Sequence, residues 1–268
     1  MIHVAALAVP IALVLSTPGF YRYVYFISVG YGLSVAGIAV GSAVAFGGGA
    51  QAVAFAHAAL LAAYGLRLGA YLISREFKAS FGGERAAIEK ANAGIGLGKK
   101  LAIWIAVAVL YAVMAAPVAL HLRASASGLS GGPLPWIGVA VGAFGLALES
   151  LADLQKSRLK KARPGDFASS GLYAWCRYPN YFGEMIVWLG SFIAGVSSFG
   201  ADPIAWVASS VGLVSIWLVM LGSGKRLEEK QDDRYGDRPD YREYKARVPA
   251  LIPVIGGKSL KNIKVYLG

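Results

Sequence analysis

Seven apolar stretches divide this chain, at roughly 2–16, 22–46, 51–74, 99–121, 134–154, 181–198 and 203–222. Most approach the roughly 20 residues a helix needs to cross the hydrocarbon core of a bilayer, and the first is short. That length sets the expected fold class: all-α, a polytopic membrane protein of seven transmembrane helices, with residues 1–268 forming a single domain. Composition agrees, at 56% hydrophobic residues against 15% charged, a balance foreign to a water-soluble domain. The first stretch has no basic n-region and no small-residue cleavage motif, so it reads as a retained span.

The positions of the basic residues orient the spans. Arg75, Lys78, Arg85, Lys90, Lys99 and Lys100 lie between the third and fourth stretches. Lys156, Arg158, Lys160, Lys161, Arg163 and Arg177 lie between the fifth and sixth, and eleven more Lys and Arg follow the seventh. Of the other three, Arg22, Arg67 and Arg123, only Arg123 falls in a loop on the opposite side. The positive-inside rule then predicts an outside N-terminus and a cytoplasmic C-terminus. A multi-pass protein of a bacterial inner membrane is expected, with its chemistry open to the cytoplasm through loops at about 75–100 and 156–180 and the tail 223–268. The formal charge of +11 suits anionic membrane lipids and does not require a nucleic-acid partner. One cysteine, Cys176, excludes an internal disulfide framework,. Three scattered histidines, His3, His57 and His121, have no zinc-binding spacing, so no metal is expected,.

Polar residues inside the spans mark the candidate site. His57, Tyr64 and Tyr71 recur every seven residues and share one helical face, with Arg67 at i+3 from Tyr64,. A guanidinium two turns inside a span should face an anion or a polar cavity. Glu149 and Asp153, one turn apart, must face the protein interior and accept hydrogen bonds. Pairing with Arg67 or Arg177 merely to hold helices together is the structural alternative. A basic run then leads to the Pro164-Gly165 turn, where guanidinium groups suit phosphate. Pro179 opens the next helix, with Asn180 and Glu184 at i,i+4 on one face,. The tail, with Tyr241 and Tyr244 before Pro249 and Leu251-Ile252-Pro253, reads as a short helix turning back to cap the cytoplasmic mouth.

Three of these features together resemble the integral-membrane steroid 5-alpha-reductase family, including its bacterial relatives of the DUF1295 type. They are the acidic pair before a basic Pro-Gly loop, the block Gly171-Leu172-Tyr173 to Arg177-Tyr178-Pro179-Asn180-Tyr181-Phe182-Gly183-Glu184, and the Tyr-x-x-Tyr to Leu-Ile-Pro tail. The resemblance runs over about Tyr64 to Pro253, with Cys176 and Tyr178 standing where the bacterial relatives usually have Ser and His. It implies seven helices, NADPH bound from the cytoplasm and a lipid-like steroid enone entering through the membrane. In that reading Glu149, Asp153, Asn180 and Glu184 hold the cofactor, as do Tyr173 and Tyr178 of the central block. Arg67, Arg177, Lys160 and Arg163 neutralise its phosphates. Tyr64, followed by Arg67 and Tyr71, matches the third-helix pattern in which the first Tyr polarises the substrate carbonyl; His57 is a candidate second donor. Arg226, Tyr241 and Tyr244 would close over the adenine end. The animal enzymes' Gln-Glu pair has no counterpart in the second stretch, whose polar members are Ser28, Tyr31 and Ser34.

The implied reaction is NADPH-dependent reduction of the Δ4 double bond of a 3-oxosteroid or similar lipid enone. Two alternatives stand beside it. One is an S-adenosylmethionine-dependent membrane methyltransferase of the isoprenylcysteine carboxyl or phospholipid type; the other is a non-catalytic sterol-binding membrane protein. Oligomeric state is not legible in the sequence.

Overall fold

Apolar sequence of bilayer length folds as helix because each backbone N–H and C=O is then satisfied within the segment. In a computed structural model, which describes residues 1–77, 82–253, 257 and 259–261, every regular element among those residues is helical. Lys78 and the tail's last residues, 262–268, lie outside the described residues. The order is α1 (Ile2–Leu15), two 3-10 turns (Thr17–Phe20 and Tyr23–Phe26), α2 (Val29–Phe46), α3 (Ala52–Glu76), α4 (Gly82–Ala93), α5 (Leu97–Met114) and α6 (Ala116–Ala126). There follow α7 (Leu134–Ala162), a 3-10 turn (Gly171–Ala174), α8 (Pro179–Gly195), another (Val196–Ser198), α9 (Pro203–Tyr235) and α10 (Pro239–Arg247). Five of these segments, Tyr23–Phe46, Ala52–Glu76, Leu97–Met114, Leu134–Ala162 and Pro203–Tyr235, are long and apolar enough to cross a membrane.

The helices depart from the apolar stretches in instructive places. The stretch expected as one span at 99–121 is two helices, because Pro117 lacks an N–H and its ring clashes with the carbonyl four residues earlier,. The region 75–100, expected as a loop, contains α4. Helices α7 and α9 run past the apolar stretches, to Ala162 and Tyr235. Hydropathy detects only the lipid-facing part of a helix, whereas the hydrogen-bond ladder continues into polar sequence.

The chain forms two compact units. The first comprises Met1–Ala140 and Gly190–Leu213, the second Val141–Leu189 and Val214–Gly268. The sequence reading takes 1–268 as one domain.

In the first unit the connections sort to two ends. At one, the N-terminal ammonium lies 3.9 Å from Asp202, and the N–H of Gln51 donates to the Ser125 hydroxyl at 2.9 Å. At the other, Arg22 pairs with Glu76 at the end of α3 (3.0 Å) and Glu89 on α4 (2.6 Å). Tyr25 donates to the same Glu76 carboxylate, and Asn92 binds the backbone at Tyr21 and Tyr23. Helix α4 is therefore tied to the 17–26 connection.

The α2–α3 packing rests on missing side chains. A Cβ on Gly65 would lie 2.4 Å from the Gly32 carbonyl oxygen, and one on Gly32 would lie 2.8 Å from that of Gly65. Small residues let membrane helices approach this closely, and packing then holds them. Gly65→Ala is expected to force the two backbones apart and to destabilise the protein by about 1–3 kcal/mol. A lower melting temperature in detergent would register it, while Gly48→Ala, where a Cβ meets nothing within 4 Å, should change little.

Candidate functional site

Within the first unit, Ala54, His57, Ala58, Leu61, Tyr64, Gly65 and Leu68 are buried along a helical stripe of α3,. Tyr64 is completely buried, and its hydroxyl lies 2.8 Å from that of Tyr31 on α2. The close Gly32–Gly65 approach places these two neighbouring phenols together. Arg67 and Tyr71, one and two turns further along α3, are half-buried.

His57 shares the Tyr64 stripe, but both its ring nitrogens are engaged. Nδ1 meets Nδ1 of His121 at 3.2 Å and Nε2 meets the Ser191 hydroxyl at 2.9 Å. His57 has no ring nitrogen left for a substrate oxygen and instead ties α3 to α6 and α8. Heptad spacing identifies the shared face but cannot show that His121 and Ser191 occupy it from other helices.

In the second unit α7 and α8 touch at Gly145 and Gly183, where a Cβ on Gly183 would lie 2.8 Å from the Gly145 carbonyl oxygen and 2.7 Å from the Glu149 nitrogen. Glu149, Asp153 and Glu184 are all buried on these two helices, and Asn180 is half-buried in the first turn of α8. The four residues grouped by sequence are thus brought onto one packed helix pair.

An open cavity of about 440 Å³ lies beside α7, lined by Gln155, Arg158, Leu159 and Ala162 on one helical face, with Arg163, Ala168, Ser170, Gly171 and Tyr173. Gln155 accepts a hydrogen bond from the Leu172 N–H at 3.0 Å. It also lies against Gly171, whose φ of +62° is in the left-handed region that favours glycine,. Among the described residues no carboxylate lines this cavity; two guanidinium groups do. Gln155, Arg158 and Ser170 extend the basic patch expected from sequence. The signal for Gln155 and Arg158 is the i, i+3, i+4, i+7 spacing of 155, 158, 159 and 162, visible once α7 is known to reach Ala162,.

Other expected site residues are held elsewhere. Lys160 donates to the Tyr235 hydroxyl (3.0 Å) and to the Asp166 carbonyl. Tyr241 donates to Asp232 at 2.9 Å and Tyr244 to the Tyr173 carbonyl at 2.7 Å. Both tyrosines are buried with Tyr235, Val248 and Phe167, and burial holds both phenols above their ordinary pKa. Both belong to a buried aromatic cluster within the tail. Arg226 is exposed and touches Ser223.

Arg177, expected as a phosphate ligand, is 2% exposed and pairs with the fully buried Glu228 at 3.4 Å. Glu228 also takes Lys245 (3.1 Å) and the Leu260 N–H (2.7 Å). Asp232, one turn on, binds Lys245 and Lys261, each at 2.6 Å. The Arg177 and Tyr178 N–H groups donate to the Pro249 and Ala250 carbonyls, so the tail does turn back, onto the entrance of α8. Tyr178 is buried beneath the Arg177 guanidinium, 5.5 Å from its ring centroid.

Cys176 lies in this packed entrance, 1% exposed, and burial pushes its thiol up to about 11. Since the thiolate is the reactive form, a raised pKa suppresses labelling. Maleimide or disulfide-exchange labelling at pH 8 is expected to run more than roughly 100-fold slower than for a free thiol, becoming fast only on unfolding.

The family model of DUF1295, described as a protein of unknown function, matches residues 21–248. The chain belongs to the DUF1295 family. This family member is also 26% identical to an uncharacterized protein of Schizosaccharomyces pombe (strain 972 / ATCC 24843), over 47% of this chain and 41% of the relative. The matched region thus spans about two fifths of that relative's length. No solved structure matches the chain.

Proposed function

We propose that this DUF1295 protein is an NADPH-dependent reductase of the carbon–carbon double bond in a lipid enone, a Δ4-3-oxosteroid or its chemical equivalent. Family membership and the motif resemblance support this reading. The observation that carries it is Tyr64, a neutral phenol completely buried between two apolar helices. A neutral donor can stabilise charge developing on a carbonyl oxygen without placing a permanent charge in lipid, and its effect grows where water is excluded.

The donor set of the second unit fits a polyanionic cofactor. Arg158 and Arg163 would hold phosphates through bidentate contacts, with Gln155 and Ser170 reaching hydroxyls,. Glu149, Asp153, Glu184 and Asn180 would accept from or donate to its hydroxyl and amide groups. When bound, NADPH would supply hydride to the β-carbon of the enone, and a proton from water at the α-carbon would complete the saturated ketone. Tyr64 donates a hydrogen bond to the carbonyl oxygen and holds its proton there as negative charge grows.

The seven-span topology, outside N-terminus and cytoplasmic site belong to the same proposal. Support comes from the first unit, where the end near Arg22 gathers Arg75, Arg85, Lys90, Lys99 and Lys100, and the end near Asp202 has Arg123,.

Detergent-extracted protein given NADPH and a Δ4-3-oxosteroid should consume the nicotinamide absorbance, and Arg158→Glu with Arg163→Glu should raise KM for NADPH at least roughly tenfold. No consumption with a panel of lipid enones, together with thermal stabilisation by S-adenosylmethionine alone, would replace this reading with a methyltransferase.

A further inference from the structure

We propose that Tyr31 is a positioning residue that orients and polarises the Tyr64 hydroxyl, acting on the substrate through it; this rests on the reading of Tyr64 as carbonyl donor. The two hydroxyl oxygens lie 2.8 Å apart. Neither phenol reaches solvent appreciably, at 7% exposure for Tyr31 and none for Tyr64. The rings meet edge to face, centroids 6.3 Å apart and planes at 71°. On its other side the Tyr31 ring packs against Tyr111 at 5.2 Å. Tyr111 is itself anchored by a 2.6 Å bond from its hydroxyl to the Phe26 carbonyl. Gly32 and Gly65, each adjacent in sequence to one of the phenols, set the helix separation that allows the contact. Tyr31 is therefore held by packing on one side and by Tyr64 on the other.

Two phenols joined by one hydrogen bond have two protons to place. In the proposed arrangement the Tyr31 O–H donates to the Tyr64 oxygen, and the Tyr64 O–H is donated to the substrate carbonyl. As that carbonyl oxygen gains negative charge, electron density builds on the Tyr64 oxygen, which becomes a better acceptor for the Tyr31 proton. Chained hydrogen bonds strengthen one another in this way. No proton leaves either phenol, and no charge is stored in the apolar helix pair. Because the Tyr31 bond strengthens as the carbonyl becomes anionic, its contribution falls on kcat and not on KM.

The test has a readout that needs no turnover. Binding of a Δ4-3-oxosteroid to the detergent-extracted protein without cofactor should shift the enone ultraviolet band to the red, as a stronger hydrogen bond to the carbonyl does. The shift should be smaller in Tyr31→Phe and absent in Tyr64→Phe. In turnover, Tyr31→Phe should lower kcat roughly 5- to 10-fold with KM within about twofold, and should add nothing on the Tyr64→Phe background. A difluorotyrosine at position 31, isosteric but a stronger donor, should restore or increase the red shift, which mere packing would not do. It also serves if Tyr31→Phe fails to fold. Equal shifts in wild type and Tyr31→Phe, with the shift lost in Tyr64→Phe, overturn the role of Tyr31 alone. No shift in the wild type overturns the carbonyl-donor reading and this inference with it.

Discussion

Tyr64→Phe is expected to lower kcat for the enone roughly 100- to 1,000-fold while leaving NADPH affinity within about twofold, the loss typical of one donor removed from a developing oxyanion. The substitution deletes a single oxygen from a side chain with no solvent exposure. It leaves the ring packing intact and adds no charge. It also removes a partner of the Tyr31 hydroxyl, a change that should destabilise the helix pair by about 1–3 kcal/mol. Melting temperature in detergent should therefore be measured beside kcat, with rates compared well below both transitions. A small stability loss with a large kcat loss identifies the carbonyl donor. Parallel losses of kcat and cofactor affinity would instead make Tyr64 part of the scaffold. His57→Gln makes a useful contrast, because His57 is engaged at both nitrogens by His121 and Ser191; its effect should fall on stability.

Glu228→Ala is expected to destabilise the protein by about 3–5 kcal/mol, the range for removing one partner of a buried ion pair. Arg177 and Glu228 have side-chain exposures of 1% and 0%, so solvent cannot replace the lost carboxylate. The same carboxylate also receives Lys245 and the Leu260 N–H, so the substitution disturbs α8, α10 and the tail together. A fall in melting temperature on the order of 10 °C would correspond. Glu228→Gln keeps an acceptor for Leu260 and should cost less. Replacing both partners, Arg177→Met with Glu228→Leu, should recover much of the loss, since an apolar pair has no desolvation penalty. A change below about 1 kcal/mol in Glu228→Ala would show that the buried pair contributes little. Arg177 would then be open again to the phosphate role that its charge suggests in the sequence.

The balance of what the sequence carried follows from which forces act locally. Helix content was legible because bilayer-length apolar runs leave the backbone no alternative to internal hydrogen bonding. The Pro179 start of α8 and the short helix around Tyr241 and Tyr244 were legible because proline and turn chemistry act over a few residues. Helical spacing pairs Glu149 with Asp153 and Asn180 with Glu184, the resemblance joins the two pairs, and the α7–α8 contact brings all four onto one packed pair. Helix ends were not legible: α7 and α9 extend into charged sequence that hydropathy assigns to loop and tail. That extension places Arg158 beside Gln155 on α7, and Glu228 and Asp232 on α9.

The sequence alone thus determined an all-helical chain rich in membrane-length segments, its charged connections and the pool of polar residues available for a site. Only the tertiary structure decided how that pool is divided. Arg177, Lys160, Tyr241 and Tyr244 look like ligands by type, yet each is bonded to a group on another element. Tyr31, unremarkable in a run of small residues, lies against Tyr64 because two glycines let α2 and α3 touch. The physical reason is common to all five. A side chain's chemical type is set by its own residue, but whether its hydrogen bonds remain available depends on which distant residue packs against it.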